Sequence, residues 1–145
     1  MRWIIKFILL IIIFSLFFCT AEQSPINYGK DACHFCKMNI VDKQHAAEIV
    51  TTKGKAFKYD AIECMMRDIM ERDENNIALF LMTDYSSPGK LVDATKAIYL
   101  ISKNLPSPMG ANLTGFESNT IAEETQKEKS GTLYSWNELK LLFKK

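Results

Sequence analysis

The chain is poor in histidine, in net charge and in cysteine pairs. Only His34 and His45 occur in 145 residues, and neither belongs to a Ser/His/Asp pattern. Paired carboxylates in an apolar setting are missing as well, so no catalytic constellation is expected and the chain does not read as an enzyme. Charge nearly cancels, at 18 basic against 17 acidic residues, and no cationic field is left to recruit nucleic acid. The length supports one compact unit, or two very small ones sharing a core, and excludes a multidomain enzyme.

Long apolar runs are likewise missing except at the start. Arg2 and Lys6 flank or interrupt an apolar run from Trp3 to Phe18 that stops at Cys19-Thr20-Ala21-Glu22. The run has the length of a signal-peptide apolar region and falls short of the ~20 residues that span a bilayer comfortably. Residues 1–18 therefore read as a signal peptide. Cys19 reads as a lipidation site, cut on its N-terminal side and acylated on its thiol, although Phe18 stands where a small residue is usual. The competing reading is a cysteine at the end of an uncleaved anchor helix. Both hold the folded part outside the cytoplasm at a membrane, the first as an envelope lipoprotein facing the periplasm. Residues 19–30, with Ser24-Pro25 and Tyr28-Gly29, read as an extended tether.

The folded part is expected over residues 31–145. Residues 46–52 and 55–59 form a β-hairpin about Lys53-Gly54. Asp60 then caps a helix over 61–72, with Glu63 completing a capping box and Ile62, Met65, Met66, Ile69 and Met70 on its apolar face. Residues 77–82 make a buried strand. A second half repeats this order loosely, with strands at 91–93, 97–102, 112–116 and 132–134. A Pro-rich loop covers 104–110, a polar helix runs over 118–129, and Ser135 caps a last amphipathic helix over 136–143. The class is α+β, in two small units over about 31–84 and 91–145.

The residues that carry chemistry are sulfurs. Beyond Cys19 stand Cys33, Cys36 and Cys64, and three thiols cannot all pair. One stays free in an oxidising compartment, a hazard unless a metal or a partner occupies it. Cys33-x-x-Cys36-x-Met38 offers two thiolates and a thioether, soft donors that select Cu(I) over ions that want oxygen. Zinc would need a fourth ligand from Cys64, His34 or His45. A dithiol redox pair of Cys33 and Cys36 is a second reading, but no βα unit precedes the motif. A plain disulfide closing a tiny loop is a third. Met109, between Pro108 and Gly110, is either presented to a metal or packed in its loop. Cys64 and Met65 open the first helix, where core packing is the simpler role and an approach to the Cys36 loop the alternative.

Taken in order, several pieces resemble the NosL family of copper-binding lipoproteins associated with nitrous oxide reductase. They are the lipoprotein-like start, Cys33-His34-Phe35-Cys36-Lys37-Met38-Asn39-Ile40, and Gly54-Lys55 through Phe57-Lys58-Tyr59-Asp60 with Ile62-Glu63-Cys64-Met65. Pro108-Met109-Gly110 followed by Phe116 completes the set. The resemblance implies paired homologous ββαβ units related to the organomercurial lyase MerB. It also implies a Cu(I) chaperone serving a copper-accepting enzyme, nitrous oxide reductase or its assembly machinery. Carried over by position, Cys36 and Met38 are the first ligands, Met109 the next, and Cys33 a contributor.

Overall fold

A computed structural model describes residues 20–144; Cys19 and the expected signal peptide lie outside the described residues. Strands β1 (Ala47–Thr51) and β2 (Ala56–Tyr59) form the expected hairpin, with Gly54 at φ 79° in the turn. That left-handed conformation costs glycine nothing. Helix α1 (Ile62–Ile69) follows, and β3 (Ile77–Thr83) returns antiparallel to β1. Next come β4 (Leu91–Asp93), β5 (Ile98–Ile101) and β6 (Leu113–Phe116). Helix α2 (Asn119–Lys129), β7 (Thr132–Ser135) and α3 (Trp136–Phe143) close the chain.

The sheets run β2-β1-β3-β4 and β6-β5-β7, antiparallel throughout. In each unit the first strand is central, its next two strands flank it, and a helix joins those two. The repeat expected from the sequence is therefore two ββαβ units of one topology. Strand β4, from the second stretch of sequence, pairs with β3 and widens the first sheet.

The units share a core. Ile49, Tyr59, Met65, Met82, Tyr99, Leu113 and Trp136 belong to one buried cluster. Trp136 lies 5.3 Å from Phe80 and 6.2 Å from Tyr99, ring centre to ring centre, seating α3 across both sheets. At Gly115 the units approach so closely that a Cβ would lie 2.0 Å from Met82 Sδ and 3.1 Å from Ile62 Cδ1. His45 is buried between them, its Nδ1 2.9 Å from Asp42 and its Nε2 3.2 Å from Thr114 of β6.

Two local expectations give way to tertiary contacts. Ser118 and Ser135 cap their helices as their sequences suggest, Ser135 with a full capping box to Glu138. Asp60 does not cap α1. The N-cap is Ala61 without any side-chain bond, while Asp60 accepts from the Val41 N–H at 3.4 Å and Glu63 is drawn to Ser107. Helix α1 also stops three residues early, tightening into bonds from Glu71 N to Asp68 O and Arg72 N to Ile69 O.

The second departure is the presumed tether. Ser24 N–H donates to the buried Glu48 carboxylate at 2.7 Å, Lys58 Nζ donates to Pro25 O and Asp31, and Ile26 and Tyr28 pack on the core. From Ser24 onward the segment is a strap across the outer face of β1. Its polar composition hid two apolar anchors and a buried acid waiting opposite.

Candidate metal centre

The strap leads straight into the cysteine motif. Residues 33–38 turn tightly: Cys33 N–H donates to Met38 O at 2.7 Å, Lys37 N–H to Cys33 O at 3.0 Å, and Ala32 bridges Asn39. Lys37 sits at φ 66°, in the left-handed region, and its ammonium reaches back to His34 O. His34 N–H donates to Lys58 O at 2.8 Å, which fixes the turn to β2. The motif is thus a braced hairpin and not an irregular loop.

This bracing sends Cys33 inward, 1% exposed, beneath the N-terminal turn of α1. There it meets Cys64, which is fully buried, and Cys36, which is half-buried. The three Sγ atoms lie within 4.8 Å of one another. Three sulfurs about a single ion with metal–sulfur bonds of ~2.3 Å would stand about 4.0 Å apart, so only a small contraction closes the trio. Cys64, assigned to core packing on the helical pattern, is both buried and part of this cluster. The odd thiol left over in the sequence was its signal.

The trio shares its protons unequally. The Cys33 thiol is held far below the ordinary cysteine value, first by the bond it accepts from the Cys64 thiol, against the opposing effect of burial. Backbone N–H groups of Asp60 and Cys36 assist. Cys64 is driven up because it donates to Cys33 and is buried, and Cys36 is raised chiefly by burial. Ionisation is thereby favoured first at Cys33, which the other two groups and the backbone surround with donors. Softness and charge suit a thiophilic cation.

The remaining predicted donors stand around the trio. Met38 is 48% exposed, and Phe35 and Val41 nearby in sequence are exposed as well. Met109 is half-buried against the apolar cluster that holds Cys33 and Cys64. Its turn is closed by Gly110 N–H to Ser107 O at 3.1 Å, and the Ser107 hydroxyl donates to Glu63 while accepting from Leu113 N–H at 3.1 Å. Glu63 precedes Cys64 in α1, so the loop that carries Met109 is clamped to the helix that carries Cys64. This clamp joins residues 44 apart and leaves no local sequence pattern. The histidines stand aside: His45 is engaged by Asp42 and Thr114, and the His34 ring packs 4.5 Å from Phe57. Among the described residues, the three cysteines form the cluster of His, Cys, Asp and Glu donors without a fourth member. A closed four-ligand zinc cage is therefore poorly served.

No curated protein matches the sequence. The crystal structure of the copper chaperone NosL from Shewanella denitrificans superposes with a TM-score of 0.71 at 18% identity, over 82% of this chain and 96% of that one. At that identity the likeness establishes the fold. The NosL family model matches residues 26–141, from the strap to α3. With a match of that extent, the chain belongs to the NosL family.

Proposed function

We propose that this protein is a copper chaperone that takes up one Cu(I) ion on its sulfur cluster and passes it to a copper-accepting enzyme. The recipient in this reading is nitrous oxide reductase or its assembly machinery. Acylation of Cys19 would hold the protein at the periplasmic face of a membrane. The observation that carries the proposal is the convergence of the Cys33, Cys36 and Cys64 sulfurs within 4.8 Å, at the foot of a hairpin that also bears Met38. Family membership supports it, as does the name of the Shewanella structure. Sulfur ligands without a closed cage hold Cu(I) against water yet allow a partner's ligands to displace them.

The rival reading, a thiol-disulfide oxidoreductase, is weakened by the same geometry. An attacking thiolate must be accessible. Here the low-pKa thiol of Cys33 is buried and the more exposed Cys36 is raised.

Titrating reduced protein with Cu(I) against a competing chelator is expected to show near one-to-one binding that collapses in Cys36→Ser and weakens in Met38→Ala. Unchanged affinity in both variants would defeat the assignment. Loading of copper-free nitrous oxide reductase by the charged protein, measured against free Cu(I), tests the recipient.

A further inference from the structure

We propose that the outer edge of β2 is a docking strand, and that its occupant is an extended acidic segment of the copper-accepting partner. The proposal rests on the chaperone reading and names the chemistry by which the recipient is recognised.

Strand β2 ends the first sheet, in the order β2-β1-β3-β4. Among the described residues its outer edge makes one backbone bond, from His34 N–H to Lys58 O at 2.8 Å. In an antiparallel ladder the backbone groups of alternate residues point the same way, so Ala56 turns its N–H and C=O outward as Lys58 does. No backbone partner meets them there among the described residues. Such an edge is a template for another chain. The cysteine hairpin already uses part of it, through a residue that lies between Cys33 and Cys36. A segment laid along Ala56 therefore continues the line of the hairpin that would carry the metal.

The flanks of this edge specify the charge of its occupant. Two hollows, of 400 and 310 Å³, lie there and share Lys55 and Phe57 in their walls. The half-buried Phe57 ring has Lys55 Nζ 4.7 Å and Arg72 Cζ 4.1 Å from its centre. Lys53, Lys55, Lys58 and Arg72 line the hollows against a single acid, Asp31, whose carboxylate accepts from Lys58 at 2.7 Å. Asp68 offsets Arg72 at 2.7 Å. Four cations set against these two acids leave a surplus of two positive charges. Acidic side chains on an added strand would meet that surplus, and complementary charge speeds encounter and fixes register. The recessed ring and the open edge favour a polypeptide, since a lipid headgroup or a free phosphate needs the cations alone.

The test uses the full reduced chain and a labelled synthetic peptide that alternates glutamate with valine. Fluorescence anisotropy is expected to show binding that weakens with salt and falls about tenfold or more in the double variant Lys53→Glu with Lys55→Glu. A peptide with lysine in place of glutamate should not bind. Methylating the peptide's backbone nitrogens should weaken binding about as much as the double variant does, because an added strand needs those N–H groups. Cu(I) affinity, read by chelator competition, should be unchanged in the double variant. Equal binding of the lysine peptide, or full binding by the double variant, overturns the charge match. Undiminished binding of the methylated peptide overturns strand addition. Tighter, Lys55-dependent binding to phosphatidylglycerol vesicles, or displacement of the peptide by inorganic phosphate at constant ionic strength, overturns a polypeptide occupant. Peptide binding by a protein that takes up no Cu(I) overturns the chaperone reading instead and leaves the docking edge standing.

Discussion

Replacing Ser107 by alanine should cost more stability than removal of one surface-loop hydroxyl ordinarily does. The Ser107 hydroxyl donates to Glu63 Oε1 and accepts from Leu113 N–H, and all three residues are buried. The second carboxylate oxygen of Glu63 has no partner among the described residues, so Ser107→Ala strips the whole carboxylate of hydrogen bonds. Each buried group left unpaired costs about 1–3 kcal/mol. With two such groups and partial relaxation, the expected loss is about 2–4 kcal/mol, a large fraction of the ~5–15 kcal/mol that holds a domain together. Urea unfolding followed by circular dichroism reads this as a lower midpoint at unchanged slope. Adding Glu63→Leu to Ser107→Ala should recover part of the loss, since removing both partners of a buried bond costs less than removing one. A loss below about 0.5 kcal/mol, or a double variant less stable than Ser107→Ala alone, would refute the clamp as described.

Two other expectations concern the scaffold. Gly115→Ala places a methyl group against Met82 and Ile62 where the units meet, and overpacking of that kind should cost about 1–3 kcal/mol in thermal melts; an unshifted melting temperature would show that Met82 has room to move. Glu48 is buried beneath the strap, and burial raises its pKa despite the Ser24 N–H bond and the nearby Lys58. The folded state then binds that proton more tightly than the unfolded chain, so this group's contribution to stability falls as pH rises from the unfolded value through the folded one. Glu48→Gln should therefore be more stable than the unsubstituted protein at about pH 8 and lose that advantage near pH 4, where both states of the glutamate are largely protonated. Equal stability at the higher pH would contradict this.

The legible parts of the fold were those with local causes. Lys53-Gly54 between β-prone runs marked the hairpin, and Ser135 with Glu138 marked the last helix, because turn and cap bonds form between residues near in sequence. Asp60 carried the same kind of local signal and misled, since a cap is a contest between partners and Val41 N–H was the one that tertiary folding brought. The pairing of Cys33 with Cys36 is marked by their spacing, while the approach of Cys64 to them is hidden by its helical periodicity. A helical face pointing inward looks the same whether it meets core or site, and this site lies at the edge of the core. Short β4 showed its strand character in the sequence but not its sheet, because pairing across the chain has no local mark.

The clamp from Ser107 to Glu63 crosses between the two ββαβ units, and so would a copper site that drew Met109 on one side to the cysteines on the other. Any ion bridging them couples metal affinity to the contact between units, and that coupling is reciprocal by linkage. Whatever tightens the inter-unit seam should slow copper's departure, and copper in place should protect the seam's amides from exchange with solvent. A recipient that pries at the Met109 turn could then draw the ion out by mechanical leverage, with no need to bind it more strongly than the resting protein does.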